Sequence, residues 1–430
     1  MKFFSQLHQF MLAGARAQAK WELDISNTIL HDRKRLAILC LLLIPILIGG
    51  IAFADEVVGS LPGMLGGKNA YAPAFYTPTI FFASIGVGIV AGLITGCIGA
   101  GGGFIIAPAL MSVGVKGILA VGTDLFHIFA KAIMGSVLHR KLGNVSVALA
   151  MVFLIGSIGG ATLGGWVNRT LYEMNPVLSD AFITTIYVLM LGFLCSYALM
   201  DFFRQTRKAA AAKASPSTTA SASGMTNLAQ KLQGVNLPPM VQFDQGVTPG
   251  GRKISWLFLV LSGFVVGMAA AIMGVGGGFL TFPIFVYVLG VSSATTVGTD
   301  IFQIIFTAGY AGLSQYAVYG FIFYTLAMGM LLGSLVGIQI GSLITKVVSG
   351  VTICGLYAVA TSAGFVNRVF ALPSKLASME MISMSKETGK LLETVGTSVF
   401  FGVLGAFALW VFYIFFTNIK TLKGEKEAHS

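Results

Sequence analysis

The chain contains uncharged, mostly apolar stretches of about 20 residues that recur from Leu36 to Phe416. A helix needs about 20 such residues to cross the hydrocarbon core of a bilayer. Of the 430 residues, 56% are hydrophobic and 10% are charged, whereas an ordinary soluble domain has about 45–50% and about 25%. This composition excludes a water-soluble globular protein and predicts an all-α polytopic membrane protein embedded in a lipid bilayer.

Two glycine-rich elements of the sequence are similar to each other. GCIGAGGGFIIAPAL at 96–110 is followed by VGTDLF at 121–126, and AIMGVGGGFLTFPIF at 271–285 is followed by VGTDIF at 297–302. The offset is 175 residues at the glycines and 176 at the aspartates. A period this long in a membrane protein indicates two duplicated halves and not a solenoid of short repeats.

Each half is predicted to contain five apolar segments. They lie at about 79–97, 103–115, 118–138, 145–168 and 179–203, and at about 254–273, 278–289, 294–317, 320–345 and 350–371. The second segment of each half is too short to span comfortably, follows a glycine-rich turn and contains Pro108 or Pro283. These features predict a broken or re-entrant helix in each half.

The positive charges predict how the halves are oriented. With these spans, 19 of the 27 Lys and Arg residues fall on one side, which the positive-inside rule places in the cytoplasm together with both termini. The net charge of +11 therefore indicates topology, and no nucleic-acid partner is expected. Because each half has an odd number of crossings, the two halves are predicted to be inverted repeats.

The predicted organisation continues beyond the two repeats. Residues 36–54 favour an uncleaved first span over a signal peptide, because 35 residues are too many for a signal-peptide n-region. The predicted parts are a cytoplasmic tail at 1–35, a transmembrane helix at 36–54, repeat 1 at 79–203, a flexible cytoplasmic linker at 204–253, repeat 2 at 254–372, an outer-face amphipathic segment at 373–395, a last transmembrane helix at 396–418 and a cytoplasmic tail at 419–430.

The two glycine runs are candidates for binding a substrate. Their members are Gly99, Gly101, Gly102 and Gly103 in the first half and Gly274, Gly276, Gly277 and Gly278 in the second. Glycine allows a positive φ and leaves backbone N–H groups uncovered, and each run precedes a short helix whose dipole favours an anion. Two such elements that meet near the membrane midplane would form an anion site. The alternative is that the glycines serve close helix packing.

The first VGTD motif begins a stripe of polar residues. Asp124, His127 and Lys131 are three and four positions apart, so they share one face of an otherwise apolar helix. Ionisable groups at membrane depth usually face a cavity or a partner. We expect Lys131 to contribute to substrate binding, and Asp124 and His127 to carry protons or to be structural. The alternative is that Asp124 caps its helix and Lys131 extends to the membrane surface.

The second copy of the motif is less charged. It keeps Asp300, for which the same proton-coupling or structural role is expected, and has Gln303 and Thr307 where the first half has His127 and Lys131. Gln303 and the two VGTD threonines, Thr123 and Thr299, are predicted to lie near the substrate.

No enzyme or metal chemistry is predicted. All four cysteines lie inside apolar runs without a CxxC pair, so neither disulfides nor a cysteine metal site is expected. HExxH and GxSxG motifs are lacking, and the glycine runs do not end in the GK[ST] of a nucleotide-binding loop. We predict a protein that is not an enzyme and has no cofactor.

The doubled G-x-G-G-G-F…P element, each copy followed by VGTD, resembles the sulfite exporter TauE/SafE family, also called the TSUP permeases. The resemblance covers about residues 79–372. It implies a bacterial inner-membrane transporter for small sulfur-containing anions such as sulfite, sulfoacetate or related sulfonates. The long N-terminal tail, the extra first and last spans and the 50-residue linker depart from the compact pattern of the family.

Together, the residues and the resemblance predict a secondary transporter that works by alternating access, with protons or the membrane potential as coupling force. Self-association into a homo-oligomer is a further expectation. The alternatives are an anion channel on the same scaffold and a membrane-embedded sensor or enzyme subunit that uses Asp124 and His127.

Overall fold

A computed structural model describes residues 62–67, 78–98, 103–141, 145–214, 227–244, 251–344 and 347–418. The predicted cytoplasmic tails and first transmembrane helix lie outside these residues. The helices of the first half are α1 (Pro78–Ile98), α2 (Gly103–Ser112), α3 (Gly117–Lys141), α4 (Val147–Met174) and α5 (Pro176–Ala214). Between the halves lie α6 (Asn227–Gln233), β1 (Met240–Phe243) and β2 (Arg252–Ser255).

The second half repeats the order of the first and is followed by one more long helix. Its helices are α7 (Trp256–Met273), α8 (Gly278–Pro283), α9 (Ser293–Tyr310), α10 (Tyr324–Ile344) and α11 (Gly350–Ser378), and the last helix is α12 (Lys386–Thr417). A π-helical segment, Ile284–Val288, continues α8, and another, Ala311–Tyr316, continues α9. The sequence prediction of an all-α polytopic membrane protein is confirmed.

Six of the described helices are long and apolar enough to cross a membrane. Large apolar side chains cover their outer surfaces, including Leu189, Phe193 and Leu409, which are 65%, 67% and 73% exposed. In water this much exposed apolar surface would favour aggregation, whereas in a bilayer it faces lipid chains of the same polarity. The exposed surface therefore agrees with the apolar composition of the chain.

Two short helices, α2 and α8, follow the two glycine runs. Helix α2 has 10 residues and is therefore about 15 Å long, half the thickness of the hydrocarbon core. Nine of its residues are buried, so it lies inside the helix bundle and does not face lipid. Pro108 lies within α2 and Pro283 ends α8, at matching positions.

The first helix of each half packs against the fourth helix of the other half. Successive glycines of α10 contact successive turns of α1 in the same order along the chain, so the two helices run parallel. Gly333, Gly337 and Gly341 approach the backbones of Ile85, Ile89 and Leu93, in that order. Glycine is required here because a Cβ atom would overlap the backbone of the neighbouring helix.

Helices α4 and α7 repeat this interface. Gly156, Gly160 and Gly164 of α4 approach the backbones of Val260, Phe264 and Met268 of α7. These glycines match those of α10 in the sequence repeat, at an offset of 177 residues. The repeated Gly-x-x-x-Gly spacing therefore produces the same close helix packing twice.

The third helices of the two halves run antiparallel to each other, as do the fifth helices. Gly309 of α9 lies against Phe129 of α3, and Gly312, in the segment that continues α9, lies against Leu125. In the fifth pair, Gly192 of α5 packs on Phe365 of α11, while Gly355 of α11 packs on Phe202 of α5. The two helices of each pair therefore run in opposite directions.

The region between the halves differs from the flexible linker predicted at 204–253. Helix α5 continues to Ala214, and the antiparallel strands β1 and β2 pair Met240 with Ser255 and Phe243 with Arg252. Val241, Phe243 and Ile254 are buried in one apolar cluster with residues of α4 and α7. This burial explains why part of a polar, glycine-rich segment folds against the bundle.

The end of the chain also differs from the prediction. Helix α11 extends to Ser378 and α12 begins at Lys386, so the predicted amphipathic segment at 373–395 is divided between two helices and a short turn. The hydroxyl of Ser385 accepts a hydrogen bond from the N–H of Thr388 and caps α12. This cap places the start of α12 ten residues before the predicted start of the last span at 396.

Candidate functional site

The second glycine run forms a buried turn with left-handed backbone. Gly274, Gly276 and Gly277 have φ values of 79°, 70° and 87°, and all three are buried. Such values strain any residue with a side chain, so the run requires glycine at these points. Gly278 begins α8. The matching Gly99, Gly101 and Gly102 of the first half lie outside the described residues.

The described part of the first glycine run lies against the second. A Cβ atom on Gly103 would lie 3.2 Å from the carbonyl oxygen of Val275 and 3.0 Å from Ile128. Ile128 also faces Gly276. The starts of the two short helices, α2 and α8, are therefore neighbours inside the bundle, as the anion-site hypothesis requires.

The backbone of the second turn has N–H donors that no described residue accepts. Among the described residues, no acceptor receives the N–H groups of Val275, Gly276 or Gly277. All three residues are buried and lie directly before α8. Buried backbone N–H groups without a partner are rare and cost about 1–3 kcal/mol each. Unpaired N–H groups directly before a helix favour an anion.

Two side chains hold the carbonyl groups that precede this turn. The amide of Asn168 donates to the carbonyl oxygens of Ala271 and Ile272, at 3.3 Å and 3.0 Å. The hydroxyl of Tyr187 donates to the carbonyl oxygen of Met273. Asn168 and Tyr187 are 0% exposed. The end of α7 is thus fixed by residues of α4 and α5, which positions the glycine turn.

The first VGTD motif places its aspartate in a buried polar cluster. Asp124 is 0% exposed and His127 is 2% exposed, and the Nδ1 atom of His127 lies 3.5 Å from Oδ1 of Asp124. The Nε2 atom of the same ring lies 3.0 Å from the Ser334 hydroxyl on α10. Asp124 is the eighth residue of α3, so the alternative that it caps the helix is wrong.

Lys131 lies on the same helix, one turn beyond His127. Its side chain is half-buried, and its charge acts on both Asp124 and His127. The structure therefore brings together the three polar residues that the helical spacing predicted on one face of α3.

The second half has a matching cluster of polar groups. Gln303 donates to Oδ1 of Asp300 at 2.9 Å and accepts a hydrogen bond from the Thr307 hydroxyl at 2.7 Å. The Thr307 hydroxyl lies 2.9 Å from that of Ser157 on α4. Asp300 is half-buried, and its Oδ2 atom lies 3.1 Å from where a Cβ atom on Gly278 would be. This carboxyl group therefore faces the start of α8.

The two VGTD threonines make contacts that the sequence did not predict. The Thr123 hydroxyl accepts a hydrogen bond from the N–H of Phe323, and the Thr299 hydroxyl accepts one from the N–H of Ser146, each at 3.0 Å. Both threonines are 0% exposed. Each one fixes the start of the fourth helix of the other half, so their described role is positional.

Sequence reasoning missed the serine at the far end of each cluster. Ser157 and Ser334 occupy the same position in the repeat, next to Gly156 and Gly333, and each contacts the polar stripe of the opposite half. Their equivalence was visible in the sequence, but their partners lie 150 and 207 residues away. Among the described residues, no cluster of three His, Cys, Asp or Glu side chains could hold a metal ion.

Comparison with known proteins gives a consistent result. "Probable membrane transporter protein YjnA" of Bacillus subtilis is 25% identical over 257 residues, covering 60% of this chain and 87% of that protein. YunE of the same organism, also named a probable membrane transporter protein, is 25% identical over 62% of this chain and 89% of its own length. A "Probable membrane transporter protein" of Xylella fastidiosa is 27% identical over 67% and 90%.

No solved structure gives a significant match to the chain. The sequence profile described as "Sulfite exporter TauE/SafE" matches residues 84–368, which include the short helices, both VGTD motifs and the glycines of the helix interfaces. A match of this extent identifies a membrane transporter and not an enzyme. The chain belongs to the sulfite exporter TauE/SafE family.

Proposed function

We propose that the protein moves a small sulfur-containing anion, such as sulfite or an organosulfonate, across the bacterial inner membrane by alternating access. The single observation that carries this proposal is the buried turn at 275–277, whose three N–H groups have no acceptor among the described residues. The turn lies where the starts of α2 and α8 meet. A sulfite or sulfonate group offers three oxygen atoms that can accept these hydrogen bonds.

Backbone donors suit a substrate that must also leave. A site made only of lysines and arginines would hold an anion through full charges at low dielectric, and release would be slow. N–H groups and a helix dipole attract an anion with partial charges at no cost of side-chain ordering. The glycines Gly99, Gly101, Gly102 and Gly103 are proposed to supply the equivalent donors of the first half.

Lys131 and Gln303 are proposed to border the substrate. Lys131 supplies a positive charge on α3, and Gln303 supplies an amide on α9. In the repeat Gln303 matches His127, so it lies one turn before the position that corresponds to Lys131. Thr123 and Thr299 stay close to the substrate in this proposal, but their hydroxyl groups hold helices α10 and α4 in position. The affinity then depends on how the two halves fit together.

Asp300 supports coupling to protons. Its carboxyl group faces Gly278, beside the proposed anion site, and no Lys or Arg pairs with it in the described part of the chain. A carboxylate would repel an arriving anion, whereas a protonated carboxyl group would not. We therefore infer that Asp300 takes up a proton with the substrate, and Asp124 with His127 is the corresponding candidate in the first half.

We infer that the two halves are inverted relative to each other. The antiparallel pairs α3 with α9 and α5 with α11 support this arrangement, because a two-fold axis along the helices would make equivalent helices parallel. The distribution of Lys and Arg supports cytoplasmic termini. The two halves meet at the glycine turns, so rocking of one half against the other would expose the site to each side in turn.

The proposal is tested by flux into liposomes that contain the purified full-length chain. Uptake of radiolabelled sulfite is measured against concentration, with sulfate, thiosulfate, sulfoacetate and taurine as competitors. We expect saturable uptake and competition by at least one of these anions. A flux that rises linearly without saturation would favour an anion channel, and no flux of any of them would overturn the proposal.

A single methyl group tests the position of the site. Gly278→Ala is compatible with the helical backbone but places a carbon atom 3.1 Å from the Asp300 carboxyl, in front of the turn. We expect uptake to fall about tenfold or more, because small displacements at a binding site are costly. Gly402→Ala on α12 is the control, since nothing lies within 4 Å of its Cβ position. Equal uptake by both variants would contradict the proposed position.

A further inference from the structure

A polar cavity lies at the far end of α2, away from the glycine turns. Its volume is about 130 Å³, and five charged side chains line it: Lys116, Asp180, Arg368, Lys375 and Glu393. These residues come from the start of α3, the start of α5, the end of α11 and the start of α12. None of them belongs to the polar stripes of α3 and α9.

Arg368 is the most buried of these charges. It is 2% exposed, and its Nε atom donates to Oδ1 of Asn367 at 2.7 Å. Its Nη2 atom donates to the Ser112 hydroxyl at 2.6 Å and to the carbonyl oxygen of Pro108 at 3.2 Å. Within the described residues, its Nη1 atom has no acceptor and no carboxylate lies within 4.0 Å of the guanidinium group.

The other charges do not balance Arg368. Lys375 pairs with Asp180 at 3.9 Å, and Asp180 also accepts a hydrogen bond from the N–H of Gly117 at 2.7 Å. Glu393 accepts a hydrogen bond from Ser374 at 3.4 Å. Among the described residues that line the cavity, three are cations and two are carboxylates. Lys116, one of the three cations, also donates to the Tyr172 hydroxyl at 3.1 Å. A buried charge without an ion of opposite sign is costly, so this site favours an anion.

We propose that this cavity binds one small inorganic oxyanion through Arg368, Lys375 and Lys116. The cavity volume of about 130 Å³ has room for a sulfate-sized ion. The Nη1 atom of Arg368 and the two ammonium groups supply its hydrogen bonds.

Helix α2 connects this cavity to the glycine turns. Gly103 at its start lies at the turns and Ser112 at its end lines the cavity, so the two sites are about 14 Å apart along the helix. Lys116, Arg368 and Lys375 fall on the side that the charge distribution predicts to be outside the cell. Oxyanion binding in the cavity does not depend on whether the glycine turns bind a substrate.

The test is calorimetric titration of the purified full-length protein in detergent with sodium sulfate, at constant ionic strength set by sodium chloride. Lys375→Gln removes a positive charge, so we expect the sulfate affinity to fall about fivefold to tenfold. Glu393→Gln is isosteric and removes a competing negative charge, so the affinity rises by a similar factor. Lys390→Gln removes an exposed charge one turn before Glu393 and leaves the affinity unchanged.

Opposite shifts for Lys375→Gln and Glu393→Gln support the cavity site, because a general loss of stability would weaken binding in both variants. No sulfate binding, or shifts in the same direction, would overturn it. Gly278→Ala separates the two sites, since Gly278 lies at the glycine turns and the cavity lies at the other end of α2. If Gly278→Ala abolishes sulfate binding while Lys375→Gln does not change it, the ion binds at the glycine turn and the cavity proposal is wrong.

Discussion

The turns that follow the two short helices are held by the same residue types, an arginine and an aspartate, but their charges are arranged differently. In the second half, Asp244 accepts hydrogen bonds from the N–H and the hydroxyl of Ser292, at 2.8 Å and 2.7 Å. Arg252 donates to the carbonyl oxygen of Gly290 at 2.6 Å and lies 3.7 Å from Asp244. This pair is therefore neutral as a unit.

In the first half the two residues lie on separate helices and hold the helices on either side of the turn. Asp180 of α5 holds the N–H of Gly117 at the start of α3, and Arg368 of α11 holds the carbonyl oxygen of Pro108 in α2. Arg368 has no carboxylate at ion-pair distance in the described part of the chain. In both halves an arginine and an aspartate hold the turn or its flanking helices, but only in the second half do the two lie within ion-pair distance of each other.

The largest expected effect on stability concerns the α4–α7 and α1–α10 interfaces, in which the two halves are alike. Gly160→Val and Gly337→Val each place a side chain into the backbone of the neighbouring helix, α7 or α1. We expect each to lower the free energy of unfolding by about 3 kcal/mol or more, since packed interfaces do not accept added volume. Thermal unfolding of the purified variants in detergent, followed by circular dichroism, measures the loss.

Gly159→Val is the matched control for this pair. Its Cβ position has only ordinary contact, 3.7 Å from Phe264, and the equivalent residue of the second half is Val336, which is exposed. We expect it to unfold at the wild-type temperature. If Gly337→Val were tolerated while Gly160→Val was not, the two interfaces would differ in spite of their shared glycine spacing.

The next largest effect on stability concerns the turns after the two short helices, in which the two halves differ. Asp244→Ala removes the acceptor of two Ser292 donors and the partner of Arg252, and Asp180→Ala removes the acceptor of the Gly117 N–H. Each should lower the free energy of unfolding by about 2 kcal/mol, because buried donors lose their partners. Thermal unfolding with and without sulfate distinguishes the two variants.

Sulfate should restore stability to Asp180→Ala, since an anion in the cavity can accept from the Gly117 N–H and offset the excess positive charge. It should not restore Asp244→Ala, because Arg252, which loses its partner there, is 27% accessible to solvent. Sodium chloride at the same ionic strength is the control. Equal rescue of both variants would show that the two turns do not differ in charge balance.

Most of the helices could be predicted from the sequence, because an apolar stretch of about 20 residues is a strong signal. The predicted segments at 79–97 and 254–273 differ by only one or two residues from Pro78–Ile98 and Trp256–Met273. The short helices were also predicted, since their glycine entry and proline mark a break. The repeat itself was visible because both copies keep VGTD at nearly the same distance from the glycines.

Other features could not be predicted because they depend on contacts between distant parts of the chain. The pairing of the first helix of one half with the fourth of the other leaves no trace in local periodicity. The strands of four residues, MVQF and RKIS, lie in a polar region and are too short to be recognised by alternation. Asp244 and Arg252 lie at the loop end of this hairpin, so their role in holding the second turn could not be predicted either.

The smallest expected effect concerns the centre of the bundle, where His127 and Gln303 occupy equivalent positions. In the second half the Gln303 amide donates to Asp300 three residues earlier. His127→Gln should therefore provide the same contact to Asp124, and only the hydrogen bond to Ser334 is lost. We expect the free energy of unfolding to fall by about 1 kcal/mol or less, as for one net hydrogen bond.

His127→Leu is the matched comparison for this substitution, measured by the same thermal unfolding. Leucine offers no donor, so the buried carboxyl group of Asp124 loses the ring nitrogen that lies 3.5 Å from it, at a cost of about 2 kcal/mol. The hydroxyl of Ser334 keeps its bond to the carbonyl oxygen of Leu331 in both variants. If His127→Gln is as damaging as His127→Leu, the imidazole ring provides something that an amide cannot, and the two halves differ at their centre as well as at their turns.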